Sequence, residues 1–204
     1  MRPGPDRPAA VALLALALAA SGCIPSRTGA DRSADMALFV EYLVRGDLPS
    51  ALKIAGGERS PHATRNFGLL LPGYRSLDDS RPRYPVFVEN RQDRYPTIRE
   101  LMRGGALGEG ADGMLKYVVR PGAAAPPPGE EALFRDIILR ENFDRSSTID
   151  FIVQNGAGFT RAGLAAAFAR VRARTALHGD WVERLGPAGT EIWEQVDRSG
   201  TPVP

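Results

Sequence analysis

A chain of 204 residues with 26 basic and 24 acidic side chains is close to electrical neutrality, which argues against the strong basic excess of a nucleic-acid binder. Its one cysteine, Cys23, can form no intramolecular disulfide. Its two histidines, His62 and His178, are far apart and neither has a second His or Cys at metal-ligand spacing, so no metal or other cofactor is expected.

The chain opens with Arg2 and Arg7, runs through an apolar stretch from Ala9 to Ala20, and reaches Ala20-Ser21-Gly22-Cys23. These are the three parts of a signal peptide. As a helix the apolar stretch would reach about 18 Å, short of a hydrocarbon core of about 30 Å. Small residues before a cysteine resemble the lipobox read by prolipoprotein processing enzymes, although Ala20 stands where Leu is usual. The expectation is cleavage after residue 22 and lipidation of Cys23, with an ordinary signal peptide and a spare thiol as the alternative. Several acyl chains on one cysteine give a stable anchor. By the sorting rule of enteric bacteria, Ile24 rather than Asp after the cysteine directs such a protein to the outer membrane, facing the periplasm.

Residues 23–32 are polar and hold Pro and Gly, as in a tether. From Ser33, the spacing of Met36, Phe39, Val40, Leu43 and Val44 predicts a helix ended by Gly46. Asp47 then caps a second short helix carrying Leu48, Leu52 and Ile54. Residues 58–85 show no sustained period and four prolines, and read as an irregular connection. A helix is predicted from Tyr95 to Arg103, with Pro96 in its first turn, and a short strand over Met114–Val119.

The proline run before Gly129 breaks regular structure. The strongest helical segment follows, from Glu130 to Gln154, with Phe134, Ile138, Ile149, Ile152 and Val153 on its apolar face. Asn155-Gly156 ends it. Thr160 starts the next helix, stapled by Phe159 and Leu164, with Leu164, Phe168 and Val171 as its buried stripe. Trp181–Leu185 and Ile192–Val196, joined through Gly186-Pro187-Ala188-Gly189, predict a terminal β-hairpin.

Several strings in the second half resemble the YdbL-like family of small exported bacterial proteins. They are the stretch from Arg94 to Leu115 with Gly105, Leu107-Gly108-Glu109 and Gly113, the step Glu141-Asn142-x-x-Arg145, and the ending with Gly179, Trp181, Val182, Gly189 and Trp193. The resemblance spans about residues 94–196; residues 33–93 have no counterpart in the shortest members, and the final hairpin is longer than expected. It implies an exported protein without established catalysis. It also implies an accessory or chaperone-like association with envelope machinery in which an AsmA-like protein bridges the membranes to move phospholipid.

Catalytic motifs are few. Gly108-Glu109-Gly110-Ala111-Asp112-Gly113 fits a phosphate-loop pattern, yet it follows a helix and leads into a strand, the reverse of the required context, and reads as a turn. There is no Gly-x-Ser-x-Gly elbow. Glu141 and Asp144, three residues apart on the long helix, offer paired carboxylates for acid/base work with His178 as a third member. The simpler reading is a solvated, salt-bridged face. Trp181 and Trp193 are candidates for a binding surface, or pack against each other or a helix.

The organisation expected is therefore a signal peptide over 1–22, a tether over 23–32, a helical and irregular extension over 33–93 and a YdbL-like domain over 94–204. The fold expected is mainly α with a small β component: the extension, a long helix pair and a C-terminal β-hairpin. The leading function is a non-catalytic envelope lipoprotein bound to another envelope protein and, through its lipid, to a membrane. The alternatives are a cell-wall or lipid-directed hydrolase using Glu141, Asp144 and His178, and a glycan- or lipid-binding module.

Overall fold

The computed structural model describes residues 29–57, 67–70, 84–119, 129–197 and 202–203. The expected signal peptide, Cys23 and most of the stretch read as a tether lie outside the described residues, as does His62. The fold is mainly α with a small sheet toward the C-terminus.

Helix α1 (Gly29–Val44) buries Met36, Phe39, Val40, Leu43 and Val44, the stripe expected from the sequence. It begins four residues before the expected Ser33, inside the stretch read as tether. Ser33 is buried and its hydroxyl donates to the Gly29 carbonyl at 3.0 Å, closing the extra turn. Gly46, at φ 74°, turns the chain out of the helix while its N–H and that of Asp47 bond back to Leu43 and Tyr42. The Asp47 carboxylate then accepts from Ser50 N at the start of α2 (Leu48–Gly57).

Helix α3 (Val86–Arg103) starts nine residues earlier than the sequence predicts, so Pro96 lies inside it rather than in its first turn. An interior proline removes one intrahelical hydrogen bond. Burial of Val88, Arg91, Ile98 and Met102 along one side carries the helix through it. The boundary expected between residues 93 and 94 thus falls within a single helix. One apolar cluster joins Met36, Phe39, Val40 and Leu43 of α1 and Val88 of α3 to residues of the two long C-terminal helices. Phe67 and Leu70 close it, with the Phe67 ring 4.7 Å from that of Phe39.

Strands β1 (Leu107–Glu109) and β2 (Leu115–Tyr117) form an antiparallel hairpin around the glycine-rich turn. Helix α4 (Glu131–Asn155) follows, then α5 (Arg161–Thr175), whose N-cap Thr160 accepts from Gly163 N at 3.1 Å. The chain returns as β3 (Trp181–Leu185), a single 3-10 turn, β4 (Glu191–Val196) and the short β5 (Pro202–Val203). The sheet order is β2-β1-β3-β4-β5, with β3 parallel to β1 and the expected hairpin present as β3–β4. A second apolar cluster, Ile98, Met102, Leu107, Leu115 and Ile137, ties α3 and α4 to this sheet. Among the described residues no helix is long and apolar enough to cross a membrane.

Candidate functional site

Helix α4 buries Phe134, Ile137, Glu141, Asp144, Arg145, Thr148, Ile149 and Ile152. The spacing is that of an ordinary core-facing stripe, but its middle two turns are charged. Glu141 and Asp144 are only 2 % and 5 % exposed, so the solvated face expected for them is corrected to a buried one. Arg140, the residue before Glu141, pairs with Asp136 on the exposed side.

Three other helices and a strand converge on this charged stripe. Arg91 donates through Nε to Glu141 Oε1 at 2.9 Å and through Nη2 to Glu41 Oε1 at 3.1 Å. The same Glu41 oxygen accepts from Arg172 Nε at 3.0 Å, and the same Glu141 oxygen from Arg145 Nε at 2.8 Å. Arg145 forks onto both oxygens of Glu109 at 2.6 and 2.9 Å, the bidentate geometry in which guanidinium and carboxylate bind most strongly. Arg145 and Arg172 also both donate to the Gly113 carbonyl, at 2.9 and 2.5 Å. Gly113 holds φ at +77°, and a Cβ there would stand 3.0 Å from the Ala169 backbone, so glycine fits where this carbonyl is presented.

Burial alone raises the carboxyl pKa of Glu41, but Arg91, Arg172 and Arg145 outweigh it and hold the value at about 2. For Glu141 too, burial is overcome by Arg91 and Arg145, and its pKa lies far below the usual carboxylate range. Arg172 is the exception among the cations. Burial and the nearby charge of Arg145 lower it to about 10 despite Glu41.

Of the proposed catalytic trio, Glu141 lines an inner cavity of about 30 Å³, whereas Asp144 lines an open groove between α3 and α4. Arg94 of α3 reaches both carboxylates, binding Asp144 closely and Glu141 at 3.4 Å. His178 lines neither space; its Nδ1 lies 3.2 Å from the Val196 carbonyl on the exposed loop before β3. The cleft that a hydrolase with these three groups requires is not formed among the described residues, nor is a cluster of His, Cys, Asp or Glu able to hold a metal.

The tryptophans lie side by side on one face of the β3–β4 ladder, where Trp181 pairs with Gln195 and Trp193 with Glu183. Both are half-buried, and neither joins either apolar cluster. A Cβ on Gly108 would meet the Trp193 ring at 2.5 Å and the Trp181 carbonyl at 2.6 Å, so the ring of Trp193 lies over β1. Val182 and Val196, on the opposite face, are the buried apolar residues of the two strands, and on the tryptophan face the buried residue is Glu183.

Sequence reasoning did not single out Glu41, Arg91, Arg172 or the groove. Charged residues at the stripe positions between Ile137 and Thr148 were the available signal for the ionic layer. Leu139 and Phe143, off that stripe, were the signal for an exposed apolar pair. Asn142, between them, serves the sheet instead. Its side-chain oxygen accepts from Leu115 N at 2.8 Å and its side-chain nitrogen donates to Leu115 O at 3.0 Å, capping the outer edge of β2 as a neighbouring strand would. Glu109, Gly113, Glu141, Asn142 and Arg145 are thus joined directly to one another or to the β1–β2 hairpin. Compared with family models, with curated proteins and with solved structures, the chain matches none.

Proposed function

We propose that this protein is a non-catalytic accessory lipoprotein of the bacterial envelope, anchored through Cys23 and engaging another envelope protein through the groove between α3 and α4. One observation carries the docking reading. Leu139 and Phe143, one turn apart on α4, are 64 % and 72 % exposed and line an open groove of about 500 Å³ with Asn90 and Arg94. Single exposed apolar residues are commonplace; a large pair at helical spacing beside a groove with polar walls has the composition of a docking site.

The carboxylates favour the same reading. Glu141 and Asp144 are both engaged by arginines, and the inner cavity is far below the several hundred cubic ångströms of ordinary substrate pockets. The partner implied by the resemblance is an AsmA-like bridge protein.

The test is site-specific photocrosslinking in the cell, with the reactive residue at position 139 or 143 and, as control, at exposed position 184. A discrete adduct with one envelope protein from 139 and 143 and none from 184 is expected, and the AsmA-like protein is the first to be probed. Absence of any adduct from 139 and 143 in a stably accumulated protein overturns the docking reading. For the anchor, Cys23→Ser is expected to abolish labelling by a fatty-acid analogue; persistent labelling overturns it.

A further inference from the structure

We infer that the inner cavity binds one small monovalent anion of halide size, held between Arg91, Arg172 and Arg45. Three guanidinium groups line this cavity, from α3, from α5 and from the turn that follows α1, and each keeps a buried N–H without a protein acceptor: Arg91 Nη1, Arg172 Nη2 and Arg45 Nε. Arg91 and Arg172 are 1 % and 3 % exposed. Buried charged donors of this kind are costly unless they are hydrogen-bonded.

Charge points the same way. Five arginines line the cavity against four carboxylates, an excess of one positive charge. The carboxylates are also used more than once: a single Glu41 oxygen serves both Arg91 and Arg172. The lowered pKa of Arg172 has the same origin, burial together with the charges of Arg145 and Arg91. An anion accepting from these donors neutralises the excess.

Size and surroundings select the ligand. A cavity of about 30 Å³ holds about two water-sized bodies, which admits a halide and excludes phosphate or an organic acid. Asp180 lines the same cavity, with its Oδ2 bound to Arg99 and Leu177 N and its Oδ1 without a protein partner, and its negative charge disfavours a dianion. Since Glu141 faces this cavity and Asp144 the groove, the anion site is separate from the docking surface.

The experiment uses the full chain and measures melting at constant ionic strength while gluconate is replaced by chloride or bromide. A saturable rise in melting temperature is expected, with an apparent Kd weakened about ten-fold in Arg45→Gln. Arg45 is half-buried and also bonded to Thr175, so its replacement spares the central ion pairs. Arg184→Gln, on the exposed hairpin, leaves the affinity unchanged. Crystals grown in bromide should show anomalous scattering between Arg91 and Arg172. Equal melting in chloride and gluconate, an unchanged Kd in Arg45→Gln, or bromide confined to the surface would overturn the site and leave water as the cavity's occupant.

Discussion

Phe168 and Arg172 stand four residues apart on α5, both buried, with the guanidinium carbon 4.9 Å from the ring centroid. Phe168 belongs to the apolar cluster shared with α1, whereas Arg172 belongs to the ionic layer with Glu41 and Gly113. The contrast separates amount of stability from specificity. Apolar burial is non-directional and tolerates small slides of one helix on another. A layer in which one carboxylate oxygen receives two guanidinium groups tolerates almost none, so it fixes the register of α1, α3, α4 and α5. Replacing such a layer by well-packed apolar residues is often neutral for stability, while removing one partner is severe.

The sharpest way to break the contrast is therefore to remove a single member. Arg145→Ala leaves Glu109 buried without its arginine and Glu141 with Arg91 and Arg94 alone, and should cost about 3 to 5 kcal/mol in urea denaturation. That is a large share of a domain's total stability of about 5 to 15 kcal/mol. Phe168→Ala should cost a similar amount, about 3 to 5 kcal/mol, through the cavity it opens. Acid separates them: as pH falls below about 4.5 the deficit of Arg145→Ala shrinks, because Glu141 with one cation fewer beside it protonates at a higher pH than in the wild type, and that of Phe168→Ala does not.

Wild-type stability should follow the same chemistry. Glu41 and Glu141 have folded pKa values depressed from 4.5, so their contribution is complete above about pH 4.5 and is lost as pH falls toward 2. A loss of a few kcal/mol over that window is expected, with little effect from added salt because the pairs are buried. A flat profile from pH 5 to 2.5 would show that the layer adds nothing to folding.

Much of the apolar half of this contrast is legible in the sequence. The α1 stripe, Gly46 as its end, Thr160 as a cap and the β3–β4 hairpin follow from local periodicity and turn chemistry. The ionic half is not, since Glu41 and Arg172 meet across 131 positions and no local rule links them. The reading of Pro96 as a helix start followed a local preference that tertiary burial overrode. For the tryptophans the sequence leaves a binding surface and a packing role open; both rings are half-buried, beside the fully buried Val182.

A smaller effect tests the edge of the layer. Asn142→Ala deprives both backbone groups of Leu115 of their partner and should destabilise by about 1 to 3 kcal/mol. Asn142→Asp keeps the acceptor and loses the donor, so it should fall between. The smallest effect belongs to the groove. Phe143→Ala should change stability by no more than about 0.5 kcal/mol while reducing crosslinking to the partner, and a large drop in melting temperature would identify Phe143 as a packing residue instead.

The parallel pairing of β1 with β3 bears on how the chain reaches this state. Gly108 meets Trp181 only after the β1–β2 hairpin, α4 and α5 have all been laid down between them. The bonds from Arg45 to Thr175 and from Arg172 to Glu41 span longer stretches still. Such high contact order slows folding, because chain closure must be achieved before the long-range contacts reward it. A chain emerging from its N-terminus can pair Glu41 with Arg91 but not with Arg172 until α5 has arrived. Until then α1 also exposes the apolar surface that α5 will cover. Truncation anywhere before α5 should accordingly yield an aggregation-prone fragment rather than a smaller folded unit.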